Sequence, residues 1–141
     1  MYNVGQYKKD IEFGEKGERD IKNILEPYFG KLERTKRFAI FDYSNDKFLI
    51  ELKSRRCNYN KYEDTMCPLN KIKKALEIKD RDCYAIFNFL DGVYYLDLKS
   101  DYKFIEKNWA RWDRNEYKPH IHAYIPITYL RPLYSLPLIS V

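Results

Sequence analysis

The sequence predicts a mixed α/β fold, with a central mixed sheet flanked by helices, and three observations carry that prediction. Residues 14–29 place Ile21, Ile24, Leu25 and Tyr28 at i, i+3, i+4 and i+7, the apolar stripe of one helix. The run 47–55 alternates, putting Leu49, Glu51, Lys53 and Arg55 on one face of a strand and Phe48, Ile50 and Leu52 on the other. Residues 83–99 form two apolar runs around Asp91-Gly92, the pattern of a hairpin with a two-residue type I′ loop.

The other elements fall between these. Pro27 and Gly30 mark the end of the first helix, and a short strand has room around Leu32 to Thr35. The β-branched and aromatic run 37–43 reads as a strand closed by Asp42, and Ser44-Asn45-Asp46 as a turn. Residues 56–67 lack a clean period and read as a loop. Pro68 suits the first turn of a second helix, with Leu69, Ile72 and Leu76 at helical spacing and Lys71, Lys73 and Lys74 around them. Residues 100–118 are charged and aromatic with weak periodicity. Residues 120–127 read as a last short strand, at an edge because of Pro126. With no repeat or linker, residues 1–141 are expected to form one domain with a core at about 14–98 and a C-terminal extension over 99–141.

Composition narrows the function. No apolar run approaches the roughly 20 residues of a membrane span, and the N-terminus lacks the apolar stretch of a signal peptide, so a soluble intracellular protein is expected. Cys57, Cys67 and Cys83 form no CxxC pair and read as reduced thiols. His120 and His122 lack a third histidine, which argues against a zinc site or a histidine-based hydrolase. The net charge is +5, and residues 52–81, with nine Lys or Arg against four acids, hold all of it. Tyr59, Lys61 and Tyr62 lie in that segment. On charge alone a polyanion partner and a solvated basic face stand equal.

The chemistry is carried by three residues. A hairpin pairing would bring the Asp42 carboxylate beside Glu51, and alternation points Glu51 and Lys53 out of one face. Two adjacent carboxylates repel, a conflict that a divalent cation resolves. Magnesium suits such a pair, because it takes oxygen ligands from one or two carboxylates and completes its shell with phosphate and water.

Asp42, followed nine residues on by Glu51-Leu52-Lys53, resembles the motif of the PD-(D/E)XK nuclease superfamily, and the order helix, strand hairpin, helix, strand is similar to its members. The proline before the aspartate is replaced by Phe41. The resemblance implies a restriction-endonuclease-like fold and a magnesium-dependent nuclease, with manganese as a substitute, that hydrolyses DNA phosphodiester bonds by attack of a metal-activated water. It implies Asp42 and Glu51 as metal ligands and Lys53 as a catalytic cation. It also implies an acidic residue on the first helix. Of Glu12, Glu15 and Glu18, helical geometry puts Glu18 beside Leu25 on the stripe facing the sheet.

From the second helix, Lys71 or Asn70, with Lys73 in reserve, would reach the phosphate. Arg55, Arg56, Tyr59 and Lys61 would join Lys71 and Lys73 in one nucleic-acid-binding wall, and Trp109 to Arg114 offers an alternative path. A short viral or phage nuclease is the kind of member the chain resembles. A catalytically silent nucleic-acid-binding module and an RNA-cleaving nuclease are the alternatives. A double-strand cutter or junction resolvase would need a homodimer, formed through the Asp91-Gly92 hairpin or the tail from Tyr124.

Overall fold

A strand with apolar residues on both faces must be covered on both sides, and the strand Phe48–Ser54 organises the molecule in that way. The computed structural model describes residues 21–36, 39–109 and 120–139. In chain order the elements are a helix over 21–29 (α1), β1 (Glu33–Arg34), β2 (Tyr43–Ser44), β3 (Phe48–Ser54), β4 (Asp64–Pro68), α2 (Leu69–Glu77), β5 (Asp82–Phe89), β6 (Gly92–Asp97), β7 (Ile105–Trp109), β8 (His120–Pro126) and β9 (Arg131–Pro132). A six-stranded sheet has the order β1-β2-β3-β5-β6-β9. Only its β3–β5 pair is parallel, joined through β4 and α2, so the sheet is mixed. A second, antiparallel sheet has the order β4-β8-β7.

Each face of the large sheet has its own core. Ile50 and Leu52 of β3 and Ile86 of β5 pack with Ile21, Leu25 and Phe29 of α1. On the opposite face Leu49, Ala85 and Phe87 pack with Leu69, Ile72 and Ala75 of α2, and with Cys67, Ala123 and Ile125 of the small sheet. Full burial of one such aliphatic side chain contributes about 1.5–3 kcal/mol. A carboxylate in the same strand therefore stands out, and Glu51 is only 3% exposed. Residues beyond 99 belong to this core, because β8 contributes Ala123 and Ile125 and β9 pairs with β6.

Several local expectations are corrected. The buried stripe of α1 is Ile21, Leu25 and Phe29, while Ile24 is exposed, because Phe29 meets Phe48 and Tyr84 edge-on and at a tilt, at 5.1 and 5.2 Å between ring centroids. In α2, Ala75 is buried in place of Leu76, since only a small residue faces the sheet at that turn. The β5–β6 loop is Leu90-Asp91 and not Asp91-Gly92; Phe89 pairs with Gly92, and Gly92 does not adopt a positive φ. Gly30 does, at φ 83°, where its amide donates to the Glu26 carbonyl and ends α1. Part of the expected loop 56–67 is β4, and part of 100–118 is β7. Strand β8 is central in its sheet, not at an edge; Pro126 is its last residue, where a missing N–H disturbs little. No helix among the described residues is long and apolar enough to cross a membrane.

Candidate active site

Asp42 does not close a strand; it precedes one. The Asp42 amide donates to the Ile50 carbonyl at 2.8 Å, and Tyr43 and Ser44 continue the ladder as β2. On the N-terminal side the backbone bends away, and the Asp42 side chain takes over the acceptor role, with its Oδ2 accepting the Leu52 amide at 2.8 Å. The short β2 strand and the placement of the carboxylate thus have one cause. Leu52 lies between Glu51 and Lys53, so the carboxylate of Asp42 is anchored beside both. Thr35 fixes the bend from the other side, its hydroxyl donating to the carbonyls of Phe41 and Asp42.

Two lysines meet Glu51. Lys53 Nζ lies 3.2 Å from Oε1 and Lys71 Nζ 3.5 Å from Oε2. Lys71 also donates to the Ile40 carbonyl, so one residue of α2 bridges Glu51 and the loop that carries Asp42. Burial pushes the Glu51 carboxyl above its ordinary value, Lys53 opposes this, Asp42 reinforces it and Lys71 opposes it; the balance is upward. In the unfolded chain Glu51 loses its proton near 4.5, whereas the folded chain holds it to higher pH. The native state then binds more protons across that interval, and stability falls as pH rises through it. Metal-free Glu51→Gln protein should therefore gain in melting temperature relative to wild type as pH is raised from about 4.5. A gap that stays constant or narrows over that range would show that the lysines outweigh burial.

Glu51 Oε2 is buried and accepts no hydrogen bond, despite its ion pair with Lys71. An orphaned carboxylate oxygen next to a second carboxylate is a donor set that suits a hard divalent cation, which draws on few protein oxygens and on water and phosphate for the rest. Among the described residues no third His, Cys, Asp or Glu completes a cluster with them. Glu18, with its competitors Glu12 and Glu15, lies outside the described residues.

The model of a family described as "Phage putative PDDEXK endonuclease" matches residues 8–132, most of the chain and all three of Asp42, Glu51 and Lys53. The chain belongs to this family. No curated protein and no solved structure matches it. Membership in the phage PDDEXK endonuclease family makes the chain a nuclease by kinship and agrees with its mixed sheet.

Asp42, Glu51 and Lys53 open into a cleft of about 710 Å³. Asp42, Glu51 and Lys53 form one side, the start of α2 with Asn70, Lys71 and Lys73 another, and His120 and His122 of β8 a third. The first turn of α2 has neither a side-chain cap nor an acidic residue, and its residues Leu69 to Lys71 line the cleft, which puts the positive end of the helix dipole there. Lys71 and Lys73 are thus brought to the site.

The rest of the expected basic wall is not in the cleft. Arg55 donates to the Met66 carbonyl at 2.7 Å and, with Tyr59, lines a separate pocket; Tyr59 stacks on Tyr94 at 4.1 Å and donates to the Ile127 carbonyl. Lys61 sits over the Tyr62 ring, and Arg56 is exposed. Strand β4, which sequence periodicity missed, separates these residues from α2. Of the Trp109 to Arg114 segment, only the backbone of Trp109 is within the described residues, as the end of β7.

Local sequence reasoning set His120 and His122 aside, and only the β4–β8 pairing brings them to the cleft, with His122 opposite Pro68 at the start of α2. His122 Nδ1 lies 3.2 Å from the His120 carbonyl, and because a carbonyl only accepts, Nδ1 carries the proton and Nε2 is the acceptor of the neutral ring. Burial lowers the pKa of His122, the bond to His120 opposes this, and Lys53 adds to the lowering. Cys67 and Cys83 are free buried thiols, and burial pushes Cys67 up to about 12.

Proposed function

We propose that this phage PDDEXK-family nuclease is magnesium-dependent and hydrolyses phosphodiester bonds of DNA in the cleft between β3, α2 and β8. The single observation that carries this reading is the buried Glu51, with one oxygen that accepts no hydrogen bond, lining a cleft together with Asp42, Lys53, Lys71 and Lys73. Asp42 and Glu51 would hold the ion, joined by Glu18. When bound, magnesium would supply a water of lowered pKa and charge stabilisation at the leaving oxygen; manganese has similar ligand preferences and is the expected substitute.

The protein's own residues account for the rest. The uncapped N-terminus of α2, with Asn70, Lys71 and Lys73, seats the phosphate. Lys53, paired with Glu51 and lining the cleft, neutralises the charge that builds on the phosphoryl oxygens as the P–O bond to water forms and the P–O bond to the leaving group breaks. Lys71, paired with Glu51 in the metal-free chain, changes partner from carboxylate to phosphate when substrate enters. Double-strand cutting would need two such clefts and hence a second copy of the chain.

The test is a panel of supercoiled plasmid, linear duplex, single-stranded and four-way-junction DNA together with single- and double-stranded RNA, each with magnesium or with EDTA. At least one DNA form should be cut in magnesium and spared in EDTA. Cutting that ignores EDTA would sink the metal assignment, and cutting confined to RNA would sink the substrate. Binding of either nucleic acid with no cutting at all would leave a silent binding module of the same fold.

A further inference from the structure

A second pocket, of about 310 Å³, adjoins the cleft at a fixed step along three strands. On β3 the cleft is lined by Lys53 and the pocket is reached at Arg55, just past the strand's end; on β8 the change is from His122 to Tyr124; on β4 it is from Pro68 to Met66. The β4–β8 register pairs Pro68 with His122 and Met66 with Tyr124, so the steps on these two strands lie side by side. Each is two residues, about 7 Å, and keeps to one strand face. The pocket is therefore the neighbour of the phosphate site along the direction of the strands.

Its lining differs from that of the cleft. The floor is aromatic and held rigid by packing among Tyr59, Phe89 and Tyr94. Two further tyrosines line it, each with a lysine against its ring: Lys61 Nζ is 5.7 Å from the Tyr62 centroid, and Lys107 Nζ is 4.8 Å from that of Tyr124. Arg55, Asn58 and Asp64 add donors and acceptors. Flat rings, a few polar groups and cations at the aromatic rim, one step from a phosphate site, match a nucleotide with its base inward and its phosphate outward.

We propose that this pocket binds one nucleobase, unstacked from the strand being cut and adjacent to the scissile phosphate. The proposal rests on the nuclease reading for the position of the base relative to the cut. It implies a preference for single-stranded, flapped or frayed DNA over continuous duplex, because a stacked base would have to be extruded at a cost of a few kcal/mol.

Tyr62 is the residue to test, since it is 61% exposed and its truncation leaves the core untouched. Affinities of full-length Glu51→Gln protein for labelled single-stranded oligonucleotides would be measured in magnesium, with an abasic site placed at each position in turn, and compared with the same protein carrying Tyr62→Ala or Tyr62→Phe. Tyr62→Ala should weaken binding of the intact strand by roughly tenfold, as loss of one base–aromatic stack does, and Tyr62→Phe should restore it. With the abasic site at one position only, Tyr62→Ala should cost nothing further.

That position should neighbour the cut mapped with protein that carries an intact Glu51. An unchanged affinity, or a loss equal at every abasic position, overturns the pocket even if the protein cuts DNA. Coupling at one position in a protein that cuts nothing upholds the base pocket and overturns the nuclease reading instead.

Discussion

Glu51→Gln is expected to reduce cleavage by on the order of a thousandfold or more while the fold persists. The substitution keeps the shape of the side chain and removes the charge, and the charge is the feature that the site does not accommodate well without a cation: Glu51 is 3% exposed, one oxygen lacks a hydrogen bond, and Asp42 is close enough to disfavour ionisation. A ligand that contributes several kcal/mol to transition-state stabilisation corresponds to about three powers of ten in rate. Single-turnover cleavage and calorimetric titration of manganese would be read together, with thermal melting as the check on folding. Loss of both cleavage and cation binding, without loss of stability, is the expected outcome. Cleavage at the wild-type rate would remove Glu51 from the ligand set.

Lys53→Ala is expected to lower turnover by on the order of a hundredfold with cation binding retained, as for a group that acts on charge developing in the transition state. Its position gives a second, independent signature. Among the groups that favour the ionised form of Glu51, Lys53 is the strongest, ahead of Lys71. Without it the Glu51 carboxyl should hold its proton to still higher pH, and the acid limb of the pH–rate profile should move upward. Lys53→Arg, which keeps the charge, should hold that limb near its wild-type position even where its bulk costs turnover. An effect confined to substrate affinity, with turnover and pH profile unchanged, would make Lys53 a binding contact only.

The placement of Glu51 and Lys53 was legible because it is written in short-range pattern. Alternation along residues 47–55 places Glu51 and Lys53 on one face whatever the rest of the chain does, since a strand has a period of two. Asp42 was correctly joined to them for a reason only partly right: the expectation was strand pairing, and the link is a side-chain bond from Asp42 to the Leu52 amide. That bond is also why the expected strand 37–43 shrinks to Tyr43–Ser44, a loss that β-propensity in a run such as Ala39-Ile40-Phe41 could not reveal. The stripe of α1 held at Ile21 and Leu25, with Tyr28 partly buried against the same core, and missed Phe29 in favour of Ile24, because only the opposing Phe48 and Tyr84 decide that Phe29 is buried.

By itself the sequence determined the two-faced central strand, the hairpin of β5 and β6, the second helix with its lysines, and, from a short motif taken with the order of elements, a resemblance to PD-(D/E)XK nucleases that the family match bears out. All of these depend on neighbours a few residues apart. Tertiary structure alone decided that β4, β7 and β8 form a second sheet, that His120 and His122 line the same cleft as Glu51, that Arg55 and Tyr59 belong to a pocket beside it, and that Lys71 bridges Glu51 to the Ile40 carbonyl. These contacts join residues that are far apart along the chain. Their free energy comes from burial shared between segments, which a local pattern of apolar and charged residues does not encode.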